Sequence, residues 1–501
     1  MSNKEDPVSN SPFNSDIEIE DLDISGTSAA DIDQVLTDDL LASSDDQKKK
    51  KKKQPKKTLT KRKAPVKRTT QTKLKLGQVD SFNVHLVGAL AKKYPDKYWK
   101  FHADAEYDMI DLINHTHALE SIPCNVSDQS AISSMALSDD GALLATFSSI
   151  GSVKVWNVAD NFELLRKIRD TEETQIDEFY CGAFTPNGLL AVGGKRKNRH
   201  HWSTEDNDNF ILNCDIKLFD MVQAKVLTRL EGHTEEVLTI KAIEFKGNNY
   251  LISTSQDGSI MKWHMSEDWT TLLDKKKMDD NLTCMAFTVS FLPNTGNKYF
   301  LAATDEHLRL YDFESAKLLQ TFKDLYSSYC DCVKFVKWLD ESKYLSQSGA
   351  MDTDQTSYAW FISRGTELCD VSDGVSSKPN SCTLHKLIYP TKDGEKFKIE
   401  EIRRFKNEGY HSNSWSVKIA SNGRYLLAPT IYGQIFVFNM LSGEVTAIIK
   451  EHQDIEIRDV IFHPYKPLLF SCSDDGYVKV YTYKNNNSEI EQDLDVGMTD
   501  A

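Results

Sequence analysis

The sequence predicts an all-β fold made of repeats, carried behind charged tails that have no fold of their own. Three observations predict it. From about residue 130, short apolar runs alternate with polar turns rich in Gly and Asp, the pattern of paired strands. Within that stretch one unit recurs: strand, turn, strand, turn, and a third strand closing on an aromatic residue. Before it, charge is segregated rather than mixed. Of the 501 residues 40% are hydrophobic and 27% charged, so a sizeable core is expected despite the tails.

Residues 1–46 hold thirteen acidic residues against one Lys, and residues 48–76 hold fifteen Lys or Arg and no acid. These stretches carry −12 and +15, so the formal −15 of the chain leaves −18 on residues 77–501. A folded part this acidic repels phosphate and is a poor general DNA binder, so any nucleic-acid contact is expected from the tail or from one local patch. Residues 1–46 set isolated aliphatics among acids, as in Asp16–Ile24 and Asp31–Leu41, and cannot bury enough surface to offset their ordering entropy. They read as a disordered acidic tail or as a short docking segment for a partner. Residues 47–76 form a disordered basic tail. Its clusters Lys48, Lys49, Lys50, Lys51, Lys52 and Lys53, then Lys61, Arg62 and Lys63, then Lys67 and Arg68, resemble a nuclear localisation signal for importin. The other reading of residues 48–75 is an arm for nonspecific nucleic-acid contact. Nine cysteines without a C-x-x-C spacing imply reduced thiols rather than a disulfide framework. The polar start MSNKEDPVSN predicts no secretory signal, and no run approaches the length of a membrane span.

The repeat region is assigned to residues 130–484. Trp156, Phe219, Trp263, Tyr311, Trp360, Phe438 and Tyr481 each close an apolar strand, at intervals of 63, 44, 48, 49, 78 and 43 residues. The shorter intervals lie near the period of about 40–45 of one propeller blade. The region resembles the WD40 repeat family, in degenerate form, because no copy carries the literal Trp-Asp pair. The resemblance implies a seven-bladed WD40-type β-propeller. It further implies that a strand from the linker 77–129 completes the last blade, and that a His, a Ser or Thr, an Asp and a Trp form a buried network in each intact blade. His233, Ser253, Asp257 and Trp263 match in full; His452, Ser471 and Asp475 match with Tyr481 in place of Trp, and Trp156 closes the first copy. Ile150 and Tyr432 replace the turn Asp in two other copies, which are expected to rely on packing alone. Residues 485–501 read as a disordered acidic tail.

Insertions are expected at 195–209 and 364–412. The first carries Lys195, Arg196, Lys197, Arg199, His200, His201 and Trp202, followed by acids. Cations beside an aromatic suit phosphate, a stacked base or an acidic peptide. The plainer reading is a solvated hairpin loop balanced by those acids. With the turn residues Asp257 and Asp305 at the rim, these are the candidate partner contacts.

No catalytic constellation is legible: there is no phosphate-binding Gly-rich loop, no G-x-S-x-G, no H-E-x-x-H and no paired metal spacing. The expectation is no enzyme, no cofactor, no metal, no small-molecule substrate and no membrane role. The expected function is a protein-interaction scaffold in a nuclear complex, chromatin- or transcription-related, with histone tails among its possible ligands because the folded part is acidic. Ribosome biogenesis or RNA processing is the alternative. A cullin-ligase substrate receptor is weakened because Trp156-Asn157-Val158-Ala159 and Trp263-His264-Met265-Ser266 lack the Trp-Asp-x-Arg pattern.

Overall fold

A computed structural model describes residues 119–483, save 206, 281–283, 306–307, 349–357, 372–373, 378, 391–394, 415, 465 and 467. The tails 1–46, 47–76 and 485–501, with the import clusters from Lys48 to Arg68, lie outside the described residues. The described chain is nearly all β, with one α-helix, Glu341–Ser348.

Seven antiparallel sheets follow one another. Sheet one is Ile132–Leu137, Leu143–Ser148, Val153–Asn157 and Glu163–Ile168. Sheet two is Ile176–Phe184, Leu189–Ser203, Ile216–Asp220 and Lys225–Leu230, with a short strand Asp208–Ile211 pairing on the long second one. Sheet three is Val237–Phe245, Asn248–Ser255, Ile260–Met265 and Leu272–Lys277, and sheet four is Ala286–Phe291, Tyr299–Thr304, Leu308–Asp312 and Lys317–Phe322. Sheet five is Cys330–Val336, Tyr358–Gly365, Ser381–Ile388 and Lys398–Lys406, and sheet six is Ala420–Ser421, Tyr425–Pro429, Ile435–Asn439 and Val445–Ile449. Sheet seven takes three strands from the end of the chain, Ile457–Phe462, Leu468–Ser473 and Val478–Tyr483, and its fourth, Leu119–Ile122, from before sheet one. The chain divides into residues 1–58 with 370–377 and residues 59–369 with 378–501, and the seven sheets lie in the second unit.

First strands pack on first strands: one on two, two on three, three on four, four on five, six on seven, and seven back on one. Sheets five and six share an apolar cluster around Trp360, Phe405, Tyr410 and Phe438. Because each sheet is covered on both faces, its middle strands are buried end to end, as in Leu143–Ser148 and Tyr425–Pro429, instead of alternating. Fourth strands carry the exposure, as in Leu272–Lys277. Six first strands carry a register shift at an equivalent place, between Ile132 and Ser134, Phe179 and Cys181, Val237 and Thr239, Ala286 and Thr288, Cys330 and Cys332, and Ile457 and Asp459. The bulge fixes a common frame for comparing them. Where the last sheet meets the incoming chain, Gly476 adopts φ +77° and a Cβ there would lie 2.8 Å from the Asp128 carbonyl oxygen, so only Gly fits.

Two expectations need correction. Trp360 does not close a third strand: it lies on the second strand of sheet five, whose third strand is Ser381–Ile388. The stretch 364–412 is therefore no insertion as a whole, since it supplies half of that sheet. The added elements are the hairpin of Leu368–Val371 with Gly374–Ser377 and the helix between the first two strands. They stretched the spacing and displaced the alignment by one strand.

Candidate functional site

In each sheet the loop entering the first strand and the turn joining the second to the third lie at the same end, because adjacent strands run antiparallel. The sequence places its polar networks there. In sheet three, Trp263 Nε1 donates to Ser253 Oγ (2.8 Å), Ser253 Oγ lies 2.7 Å from His233 Nε2, and His233 Nδ1 lies 3.0 Å from Asp257 Oδ2. The Thr234 amide also donates to Asp257. Burial alone would raise the Asp257 carboxyl, but the hydrogen bonds and charge of His233, with Ser259 and Thr234, bring it down to about 2. Sheet seven repeats the pattern through His452, Asp475 (2.9 Å) and Ser471 (2.8 Å).

Asp, His and Ser stand here in the relation of a hydrolytic triad. The chemistry does not follow. Ser253 and Ser471 are fully buried, and Ser253 Oγ already accepts the indole N–H. No substrate carbonyl can approach such an oxygen, so the arrangement clamps the sheet.

The other sheets solve the same problem differently. In sheet five Ser363 holds the place of Ser253; Tyr326, four residues before the bulge as His233 is, bonds it through its hydroxyl (2.8 Å), and His385 stands where Trp263 would and bonds it through Nε2 (2.9 Å). Burial and then the charge of Arg404 push the His385 imidazole down to about 3. In sheet one Trp156 Nε1 donates to Thr146 Oγ1 (3.2 Å), and Lys154 and Ser152 both reach Asp128, at 3.4 and 2.7 Å. Sheet one thus does not rely on packing alone, contrary to expectation. Its turn Asp is replaced by Ile150, and a third-strand cation paired to the entering loop does the work. Sheet six, with Tyr432 at the turn, packs Tyr410, Phe436 and Phe438 together.

Sheet two carries the cation solution furthest. Lys217, buried on the third strand, has Nζ 3.0 Å from Asp170 and 3.3 Å from Glu173, and it pairs with Asp177 as well. These three carboxylates converge as metal ligands would, but the Lys217 ammonium occupies the centre.

The basic stretch at 195–202 is not a loop. Lys195, Arg196 and Lys197 lie on the long second strand of sheet two, opposite Glu178, Asp177 and Ile176. Lys195 pairs with Glu236 (3.1 Å), Arg196 with Glu173 (3.2 Å), and Lys197 with Glu178 (2.6 Å) and Asp208 (3.2 Å). Arg199 donates to the carbonyl of Thr174 and bonds the Gln175 side chain through its amide. Three of these four cations are thus spent on acids of this chain, and the fourth pins the hairpin base. What the hairpin offers is apolar: Trp202 is 53% and Phe210 47% exposed, and His201 stacks on Phe210 at 5.3 Å. Ile150, Tyr432 and Tyr477, at second-to-third turns of sheets one, six and seven, and Ile455, on the loop entering sheet seven, are also exposed at this end. Asp257 is engaged by His233, and Asp305 follows the second strand of sheet four with its amide on the Met285 carbonyl. The balance by following acids holds for Asp208, which pairs with Lys197, whereas Glu173, Glu178 and Glu236 meet the stretch only through strand and sheet packing and were not foreseen.

Comparison with known proteins agrees with the two intact networks. The family model "WD domain, G-beta repeat" matches residues 224–264 and 443–482, each running from the fourth strand of one sheet into the third strand of the next, sheets three and seven, and the chain carries WD40 repeats there. It is 25% identical over 211 residues to U3 small nucleolar RNA-associated protein 12 of Saccharomyces cerevisiae, covering 36% of this chain and 19% of that protein. It is 25% identical over 153 residues to Nuclear distribution protein PAC1 of Arthroderma benhamiae, covering 30% and 32%. It is 31% identical over 125 residues to CCR4-associated factor 4 homolog of Candida glabrata, covering 24% and 20%. The chain spans a third or less of the length of each.

Proposed function

We propose that this chain is a non-catalytic interaction scaffold of a nuclear multiprotein complex, built on a seven-bladed propeller that docks partners at its loop end. The observation that carries this reading is the hairpin of sheet two. Its cations are neutralised internally, and its tip presents Trp202 and Phe210 to solvent. Exposed aromatics on a rigid, hydrogen-bonded support are what protein interfaces use as anchors. A partner with an apolar contact ringed by basic groups suits the −18 carried by residues 77–501. Basic chromatin or transcription proteins, histone tails among them, meet that description. The lysine clusters from Lys48 to Arg68 support nuclear import.

A second reading is favoured by one observation: the stretch similar to U3 small nucleolar RNA-associated protein 12 supports a role in ribosome biogenesis, with the lysine arm on RNA. One experiment separates them. Full-length tagged protein is purified from nuclei with and without nuclease. Scaffold function in a chromatin complex predicts protein partners that survive nuclease and are lost on Trp202→Ala with Phe210→Ala. Partners lost on RNA digestion and indifferent to those substitutions support the RNA reading. No stable partner under either condition overturns both. Replacing the three basic clusters by Ala is expected to move the protein out of the nucleus; unchanged nuclear fluorescence refutes the import assignment.

A further inference from the structure

The first strands of the sheets hold cations that the networks above do not use. In the frame set by the bulges, Lys241 of sheet three and Lys334 of sheet five occupy the same position, two residues past Thr239 and Cys332. The equivalent positions elsewhere are Ala136, Ala183, Ser290 and Ile461, small or apolar. Lys418 enters from the residues leading into sheet six, its amide on the Arg458 carbonyl, and its Nζ reaches Ser134 Oγ of sheet one (2.6 Å) and Asp459 of sheet seven (3.8 Å). One side chain thus spans toward the first strands of two other sheets.

Lys241 is exposed although its strand is packed between those of its neighbours, so solvent reaches the space that these strands border. Lys334 is half-buried. Neither has an ion-pair partner among the described residues. The acid nearest the group, Asp459, is committed: it accepts from Ser134 Oγ (2.9 Å) and the Met135 amide (3.2 Å) besides attracting Lys418. Three ammonium groups against one carboxylate leave a surplus of two positive charges, although residues 77–501 together carry −18.

We propose that Lys241, Lys334 and Lys418 form an anion site between the first strands, and that it takes a small phosphate dianion, either inorganic phosphate or a phosphomonoester. The double charge of such a ligand matches the surplus, and lysines bind phosphate as point charges without needing bidentate geometry. Lys334 and Lys418 act on the Lys241 ammonium as like charges, with Asp459 in the opposite sense. A group destabilised by like charges is relieved when an anion binds.

The test uses the full chain and calorimetric titration at constant ionic strength, with inorganic phosphate in one arm and glycerol 2-phosphate in the other. Saturable binding at one site is expected. Lys241→Gln and Lys334→Gln are each expected to weaken it at least about tenfold, and Lys276→Gln, on an exposed fourth strand, to leave it unchanged. Binding of both probes identifies a monoester site, and binding of inorganic phosphate alone identifies the free ion. Removing a repelled charge should not lower the melting temperature of the ligand-free protein. If Lys241→Gln does lower it, Lys334→Gln carries the test. No saturable binding, or equal affinity in Lys334→Gln and Lys276→Gln, overturns the proposal.

Discussion

Sheets three and five tie themselves together around the same atom and choose almost every other atom differently. Ser253 and Ser363 hold equivalent places on second strands. Around Ser253 stand an imidazole from the entering loop and an indole from the third strand; around Ser363 stand a phenol from the entering loop and an imidazole from the third strand. The histidine has changed sides. What the fold requires is a hydroxyl hub with two ring-borne partners at fixed positions, and the residue types can be exchanged among those positions. Sheet three also has a charged member, Asp257, which sheet five lacks in that role.

The largest effect should come from the indole. Trp263→Ala removes a fully buried aromatic and the hub's donor, and is expected to cost about 3–5 kcal/mol, read by urea unfolding. An unchanged midpoint would break the equivalence, since the hub would then not depend on its third-strand partner. Acid should separate the sheets next. His385 has its folded pKa depressed to about 3, below its ordinary value of 6.5, so its contribution is present above about 6.5 and lost as pH falls toward 3, a total of a few kcal/mol. Asp257, depressed to about 2, loses its contribution only below its ordinary 3.8. Unfolding followed against pH should therefore show a loss beginning near pH 6.5 that His385→Gln reduces, with buried His463, held down to about 4, supplying the remainder, and that Asp257→Asn leaves in place. Asp257→Asn itself is expected to cost about 1.5–3 kcal/mol at neutral pH, because it weakens charge-assisted bonds to His233 and the Thr234 amide. The smallest effect is Tyr326→Phe, which keeps the ring and deletes bonds to Ser363 and Thr383, for about 1 kcal/mol. A cost as large as that of Trp263→Ala would mean that the phenol, not the third-strand imidazole, is the main support of the hub.

The same comparison explains what could be read in advance. Trp263 with His233 and Asp257 is legible because a family pattern and a local spacing coincide, and Phe219, Tyr311, Phe438 and Tyr481 were placed on third strands by apolar runs that end in a ring. Sheet five was misaligned because the helix Glu341–Ser348 lengthens the path from its first strand to its second, and because Trp360, on the second strand, offers the expected aromatic while the ring at the equivalent third-strand place is His385. The hairpin cations were legible as charges, not as pairs. Lys197 meets Glu178 only when two strands fold together, and Lys195 meets Glu236 only when two sheets do. Lys241 and Lys334 gave a faint signal, a lone cation in each of two apolar strands, but their equivalence rests on bulges that no sequence displays.

The strand Leu119–Ile122 has a consequence for how the molecule is made. The Cys124 thiol rests on the Val478 carbonyl, 354 residues further along the chain. During synthesis Leu119–Ile122 leaves the ribosome first and its partner strand leaves last, so the early strand must wait, with its backbone groups unmatched, through the birth of six complete sheets. A ribosome that stops just after Ser473 would release a chain with most of its core in place and two raw edges, Leu119–Ile122 and Leu468–Ser473, turned toward any passing strand. The codons for Val478–Tyr483 thus act as a latch, and termination just before them is expected to yield aggregation rather than a slightly shorter protein.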